Sequence, residues 1–287
     1  MAQFTNQAQL SYNNSIVNSN VVTGEILEAL SVTKTAVTDD YTRNDDITYV
    51  ISAVNSGATP LTGVSVSDDL GAYAFGEQTL YPLTYVENSV HLYINGVLQA
   101  PPAVTQGPPV VFSGITIPAN GNMILIYEAE VNQFAPLGDL GSIVNTATVT
   151  ATGIPAPVLA SETVRPENEP NLTISKAIEP ATVTENGSLT YRFIIQNHGN
   201  AAAGAEANVV LSDVFDPILY ALSVSFNGNT WTEGVNYNYT QTEGSFTTLP
   251  GQITVPAATY TQDAETGAWI ITPGVSTLVV SGTIQAV

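Results

Sequence analysis

Among the 287 residues there is no cysteine. That removes disulfides and thiolate metal sites and leaves the compartment undecided. Basic residues are nearly as scarce, with five Lys and Arg against 25 Asp and Glu, a net charge of −20. A surface of that sign repels nucleic acid and anionic membranes, so neither is expected as a partner. No apolar run approaches the roughly 18 residues that cross a bilayer. No basic stretch followed by an apolar core marks a signal peptide at the N-terminus. The motifs GxSxG and HExxH and a phosphate-binding glycine loop are all missing, so no enzyme activity and no cofactor are expected. His91 and His198 each lack a second histidine nearby, which argues against zinc. The acidic turn of Asp39, Asp40, Asp45 and Asp46 around Arg43 matches no calcium-loop spacing and reads as a solvated turn, so no metal is expected.

What is present points to strands. Hydrophobic residues make up 44% of the chain and charged residues only 10%, ample material for packed cores. Val, Thr, Ile, Tyr and Asn are frequent, Leu-rich heptads are absent, and Gly and Pro punctuate short alternating runs. The fold class read from this is all-β: two tandem Ig-like β-sandwich domains preceded by an extended N-terminal donor-strand arm. The boundaries are 1–26 for the arm, 27–152 for the first domain, 153–170 for a Pro-rich linker and 171–287 for the second domain. In the first domain the strand signals are ALSVTKTAV, DITYVISAVN, GVSVSDDL, SVHLYINGVLQ, VVFSGITI, NMILIYEAEV and SIVNTATVT, with turns every 8–12 residues. Asn95-Gly96 marks a two-residue hairpin.

The second domain repeats the first at countable spacings. Lys34 precedes Tyr49 by 15 residues and Asn55 by 21; Lys176 precedes Tyr191 and Asn197 by the same intervals. GVSVSDDL aligns with NVVLSDVF, which sets Asp68 opposite Asp213, and Asn227-Gly228 repeats the hairpin signal. MILIYEAEV aligns with TLVVSGTIQ. The shared pattern, running from TK through TY, the N(S/H)G turn and the SD strand to NTATVT, resembles the surface-protein repeat known as domain of unknown function eleven. The resemblance covers most of the chain beyond the arm. It implies Ig-like modules of bacterial or archaeal surface proteins, in tandem and without catalysis.

One stretch sits out of order. Phe4 to Ser11, FTNQAQLS, carries the pattern of Ile143 to Thr150, IVNTATVT, which closes the first domain. Asn145 precedes Lys176 by 31 residues, and Asn6 precedes Lys34 by 28. The second domain, ending in STLVVSGTIQAV, shows no such strand. A sandwich short of one strand exposes an edge that a strand from another chain can fill. Residues 3–12 are therefore expected to donate a strand, with Phe4, Asn6, Ala8 and Leu10 facing inward, to the second domain of another copy. Such a contact is heterologous, and where it does not close it builds a filament. The expected protein is the subunit of an extracellular filament on a cell or spore surface, a head-to-tail homopolymer. The alternative is a monomeric adhesin or surface-layer module.

The chain has two lysines, Lys34 and Lys176, at equivalent positions in apolar strands. Each is accompanied by an Asp (Asp68, Asp213) and by a final-strand Asn (Asn145, or Asn6 from a neighbour). The trio resembles the Lys, Asn and acid of spontaneous isopeptide bonds in Ig-like pilin and adhesin domains. Burial would lower the Lys pKa so that a neutral amine attacks, and would keep the acid protonated to activate the amide. The expected links are Lys34 to Asn145 within the first domain and Lys176 to Asn6 between copies.

Overall fold

A computed structural model describes residues 2–26 and 29–284. The arm comprises β1 (Ala2–Asn6), β2 (Gln9–Tyr12), β3 (Ser15–Asn18) and β4 (Val22–Ile26). It is not a single extended strand. β1 pairs antiparallel with β4 and β2 with β3, so the arm is a hairpin whose tip is Asn13-Asn14, at φ 45° and 64°. Two adjacent left-handed residues are what a two-residue hairpin turn requires, and Asn tolerates them.

The first unit continues with β5 (Leu30–Ala36), β6 (Asp40–Tyr41), β7 (Asp46–Asn55) and β8 (Leu61–Asp68). After the small hairpin β9 (Tyr73–Phe75) and β10 (Gln78–Leu80) come β11 (Leu83–Tyr85), β12 (His91–Ile94), β13 (Val97–Leu98) and β14 (Ala103–Thr105). It closes with β15 (Val110–Ile117), β16 (Asn122–Val131), β17 (Ile143–Thr150) and β18 (Val158–Pro166). One sheet runs β13-β12-β16-β7-β5 and the other β14-β15-β8-β17-β18-β6. Alternation fixes which residues meet between them. Ile47, Tyr49, Ile51 and Ala53 on β7, and Met123, Leu125, Tyr127 and Ala129 on β16, are all buried. The Asn95-Gly96 turn forms as expected, at φ 49° and 77°.

The expected linker 153–170 holds a strand instead. β18 pairs along β17 from Ile143↔Val164 to Val149↔Val158. The run VLASETV does not alternate apolar and polar residues but contains β-branched Val158, Thr163 and Val164, while Pro155 and Pro157 precede the strand and Pro166 ends it.

The second unit holds β19 (Leu172–Glu179), β20 (Ser188–Asn197), β21 (Ser212–Val214), β22 (Leu219–Phe226) and β23 (Asn229–Trp231). β24 (Tyr237–Thr240), β25 (Ser245–Thr248), the hairpin of β26 (Thr259–Gln262) and β27 (Trp269–Thr272), and β28 (Gly274–Ile284) follow. One sheet runs β19-β20-β28-β22-β23; facing it is a sheet of three strands, β24-β25-β21. Between them lies a core of Tyr191, Phe193, Phe215, Phe246, Leu278 and Val280. The chain divides into its two units at Val164/Arg165, with 136–142 grouped with the second. Both units are Ig-like sandwiches.

Candidate functional site

In the first unit the repeat lysine and aspartate face each other across the sandwich. β5 lies against β7, placing Lys34 beside Ile51, while Asp68 ends β8 in the other sheet. Lys34 Nζ donates to Asp68 Oδ2 at 2.5 Å, and both side chains are fully shielded from solvent. The ammonium lies 4.7 Å from the centroid of the Tyr49 ring. Burial pushes the Lys34 pKa down, against the pull of the Asp68 charge.

β17 brings the third member. Asn145 is wholly buried and faces inward between β8 and β18. Its neighbour Thr146 is pinned from both sides by Asp69, whose Oδ1 accepts from Thr146 N at 2.8 Å and whose N donates to Thr146 O at 3.0 Å. Asn145 Nδ2 donates to the Tyr127 hydroxyl at 3.2 Å, and Tyr127 donates to Asp68 Oδ2 at 2.6 Å. Asn145 Oδ1 accepts no hydrogen bond among the described residues. Lys34, Asp68 and Asn145 are thus brought into one buried hydrogen-bonded chain. Tyr127, the link between acid and amide, was not singled out from the sequence. Its signal was available: an inward-facing Tyr on a central strand usually places its hydroxyl on a partner.

The second unit holds half of this site. Lys176 Nζ lies 2.5 Å from Asp213 Oδ2, but the two side chains are 39% and 19% exposed. The ammonium rests over Tyr191, 4.2 Å from its centroid. What covers Lys34 is β17, which pairs with β8 in the register Ala147↔Asp68 and Thr148↔Ser67. β21 is the counterpart of β8, and among the described residues it pairs only with β25. The groove beside it leaves Ile174 59% and Ile178 46% exposed, whereas their counterparts Val32 and Ala36 are half-buried.

Asn6, Phe4, Ala8 and Leu10 lie in the arm, and the structure does not bring them to Lys176. Among the described residues the arm strands pair only with one another. Phe4 is 51% exposed and Leu10 64%. Asn6 pairs with Val22 and Phe4 with Gly24 on one face of the hairpin. A Cβ at Gly24 would stand 2.5 Å from the Phe4 ring, so the glycine gives that ring its place. Toward the tip Leu10 pairs with Val17. The hairpin as a whole parallels β17 and β18: a strand with the inward pattern Φ-x-N-x-A-x-Φ, then an antiparallel partner, then the lysine strand.

Asn55 and Asn197, shared by the two repeats, have a structural role. Each is buried and caps its loop, accepting from Gly57 N or Gly199 N at 2.9 Å and donating to carbonyls of Thr59 and Pro118, or Ala201 and Pro256.

No family model and no curated protein matches this sequence. Solved structures do. The chain is similar to BcpA, the major pilin subunit of Bacillus cereus, at 12% identity and a TM-score of 0.37, covering 94% of this chain and 73% of that one. It is similar to the major pilin SpaD of Corynebacterium diphtheriae at 14% identity and a TM-score of 0.36, covering 85% and 59%. It is also similar to the pilus backbone RrgB of Streptococcus pneumoniae at 10% identity and a TM-score of 0.35, covering 85% and 55%. The chain therefore spans little more than half of two of these proteins.

Proposed function

We propose that the protein is a structural subunit of an extracellular filament, built from two repeats of the kind known as domain of unknown function eleven. Copies join head to tail when the arm hairpin of one enters the second unit of the next. One observation carries this reading. The slot beside the SD strand is filled in the first unit by β17, no described residue pairs there in the second, and the arm repeats the β17 pattern with Phe4 and Leu10 exposed. In the register that β17 takes on β8, Ala8 falls opposite Asp213 and Gln9 opposite Ser212. Phe4, Asn6 and Leu10 then face inward over Lys176 and Ile174. Burial of Phe4 and Leu10 contributes roughly 1.5–3 kcal/mol each, and the ladder satisfies the free edge of β21.

Isopeptide bonds lock the assembly, Lys34 to Asn145 within each copy and Lys176 to Asn6 between copies. Lys Nζ attacks the Asn side-chain carbon; the C–Nδ2 bond breaks, and ammonia departs with its electron pair. The deciding experiment is electron microscopy of the purified protein followed by gel electrophoresis of boiled samples. Filaments with a boiling-resistant ladder are expected. A dispersed monomer at every concentration would defeat the reading.

A further inference from the structure

The reaction that joins Lys34 to Asn145 must move protons in a space that water does not reach. Two leave Nζ: one must reach the departing amide nitrogen, and the other remains on Asp68. Asp68 is poorly placed to hand a proton directly to the amide. Its Oδ1 is held by the N–H of Leu70 at 3.1 Å. Its Oδ2 receives both Lys34 and Tyr127. Asn145 Nδ2 instead donates its hydrogen bond to the Tyr127 hydroxyl, at 3.2 Å, so the phenol stands between acid and amide. Tyr127 is itself fully buried and fixed, its ring stacked on Tyr49 with centroids 5.6 Å apart and tilted on Phe112 at 5.3 Å.

We propose that Tyr127 is a catalytic residue of the first-unit crosslink, its hydroxyl carrying the proton from Asp68 to the leaving nitrogen of Asn145. The step rests on the crosslink reading given above. Lys34 passes a proton to Asp68, and the neutral amine attacks Cγ of Asn145. As Nδ2 turns tetrahedral its lone pair becomes an acceptor, so the hydrogen bond to Tyr127 reverses. Tyr127 gives its proton to Nδ2 while taking one from Asp68, and the phenol is regenerated. The C–Nδ2 bond then breaks, ammonia leaves with the electron pair, and the second Nζ proton is held by Asp68. No oxidant or further reactant enters.

The second unit supplies an internal contrast. Tyr127 pairs with Tyr49, and Val280 pairs with Tyr191 at the equivalent place in its sheet. A link between Lys176 and Asn6 therefore closes without the phenol, and more slowly than the internal one.

The test follows ammonia loss by intact mass during cell-free synthesis of the full chain, comparing wild type with Tyr127→Phe, Asp68→Ala and the packing control Ile117→Val. Tyr127→Phe keeps the ring and removes only the hydroxyl. It is expected to fold, with a melting temperature lowered by the loss of the buried hydrogen bond to Asp68, and to close the link roughly 10²-fold more slowly, the usual scale for a lost proton-transfer group. Asp68→Ala should not close it, and Ile117→Val should close it at the wild-type rate. Closure of Tyr127→Phe as fast as wild type, or an equal slowing in Ile117→Val, overturns the role of Tyr127 while leaving the crosslink in place. Wild type that keeps its full mass throughout removes the crosslink itself, and Tyr127 with it.

Discussion

Lys34 Nζ lies 2.5 Å from Asp68 Oδ2 with neither side chain reached by solvent. Two opposite charges held out of water depend on each other, because either one left alone keeps its desolvation penalty without a partner. Lys34→Ala is therefore expected to destabilise the first unit by about 3–5 kcal/mol, read as a shift of its urea midpoint. Lys176→Ala removes the same contact where water already reaches it and should cost no more than about 1 kcal/mol. Asn145→Ala is the control that separates the ion pair from the proposed covalent tie, since it removes the amide that the tie requires and leaves the pair.

The same contrast in exposure predicts when each bond forms. Lys34 is desolvated by its own fold, so monomer prepared without the arm should already lack one ammonia. Lys176 is partly open to solvent and would be covered only by the proposed strand insertion, so its link should appear only in assembled material. Intact masses of arm-deleted monomer and of full-length polymer decide the matter. Arm-deleted monomer at full mass would contradict internal closure on folding.

Much of this site was legible in the sequence because repeats make positions comparable. Lys34 and Lys176, Asp68 and Asp213, and the two Asn-Gly hairpins could be paired by spacing, and the structure places them at equivalent points of two sandwiches. Three features were less legible, for physical reasons. Residues 15–26 are polar and lack strict alternation, so their pairing with β1 and β2 depended on recognising Asn13-Asn14 as a turn without glycine. Val158–Pro166 was obscured by flanking prolines and by a run, VLASETV, that does not alternate apolar and polar residues. Tyr127 carries no motif. Its role emerges only when β16 sets it beside Tyr49 and β17 lowers Asn145 onto its hydroxyl.

Alkaline pH tests the same core. Burial pushes the phenols of Tyr41, Tyr49 and Tyr127 above their ordinary value of 10.0. Above pH 10 the unfolded chain releases these protons while the folded unit retains them. Stability is therefore full below about pH 10 and falls as pH rises beyond it. In Asn145→Ala, where Lys34 keeps a free amine, Lys34 acts in the opposite sense below that point: its pKa is lowered on folding, so its contribution rises with pH up to the unfolded value of 10.5. Absorbance titration should show these three tyrosines ionising only together with unfolding. Smooth ionisation near pH 10 with the fold intact would contradict their burial.

The arm offers a way to separate docking from chemistry. Leu10 is 64% exposed in the arm, and its counterpart Val149 is fully buried in the first unit. Leu10→Asp would carry a charge into an apolar slot and should abolish polymers, with both sandwiches still folded, because the side chain lies in the arm hairpin opposite Val17 and outside both sandwich cores. Asn6→Ala keeps the apolar pattern of the strand and removes only the amide proposed as the target of Lys176. It should still form filaments by electron microscopy, but filaments that boiling dissolves to monomer. Lys176→Met should give the same phenotype from the other side of the bond. A boiling-resistant ladder in Asn6→Ala would mean that another residue closes the link. Intact filaments in Leu10→Asp would mean that the arm is not what enters the groove.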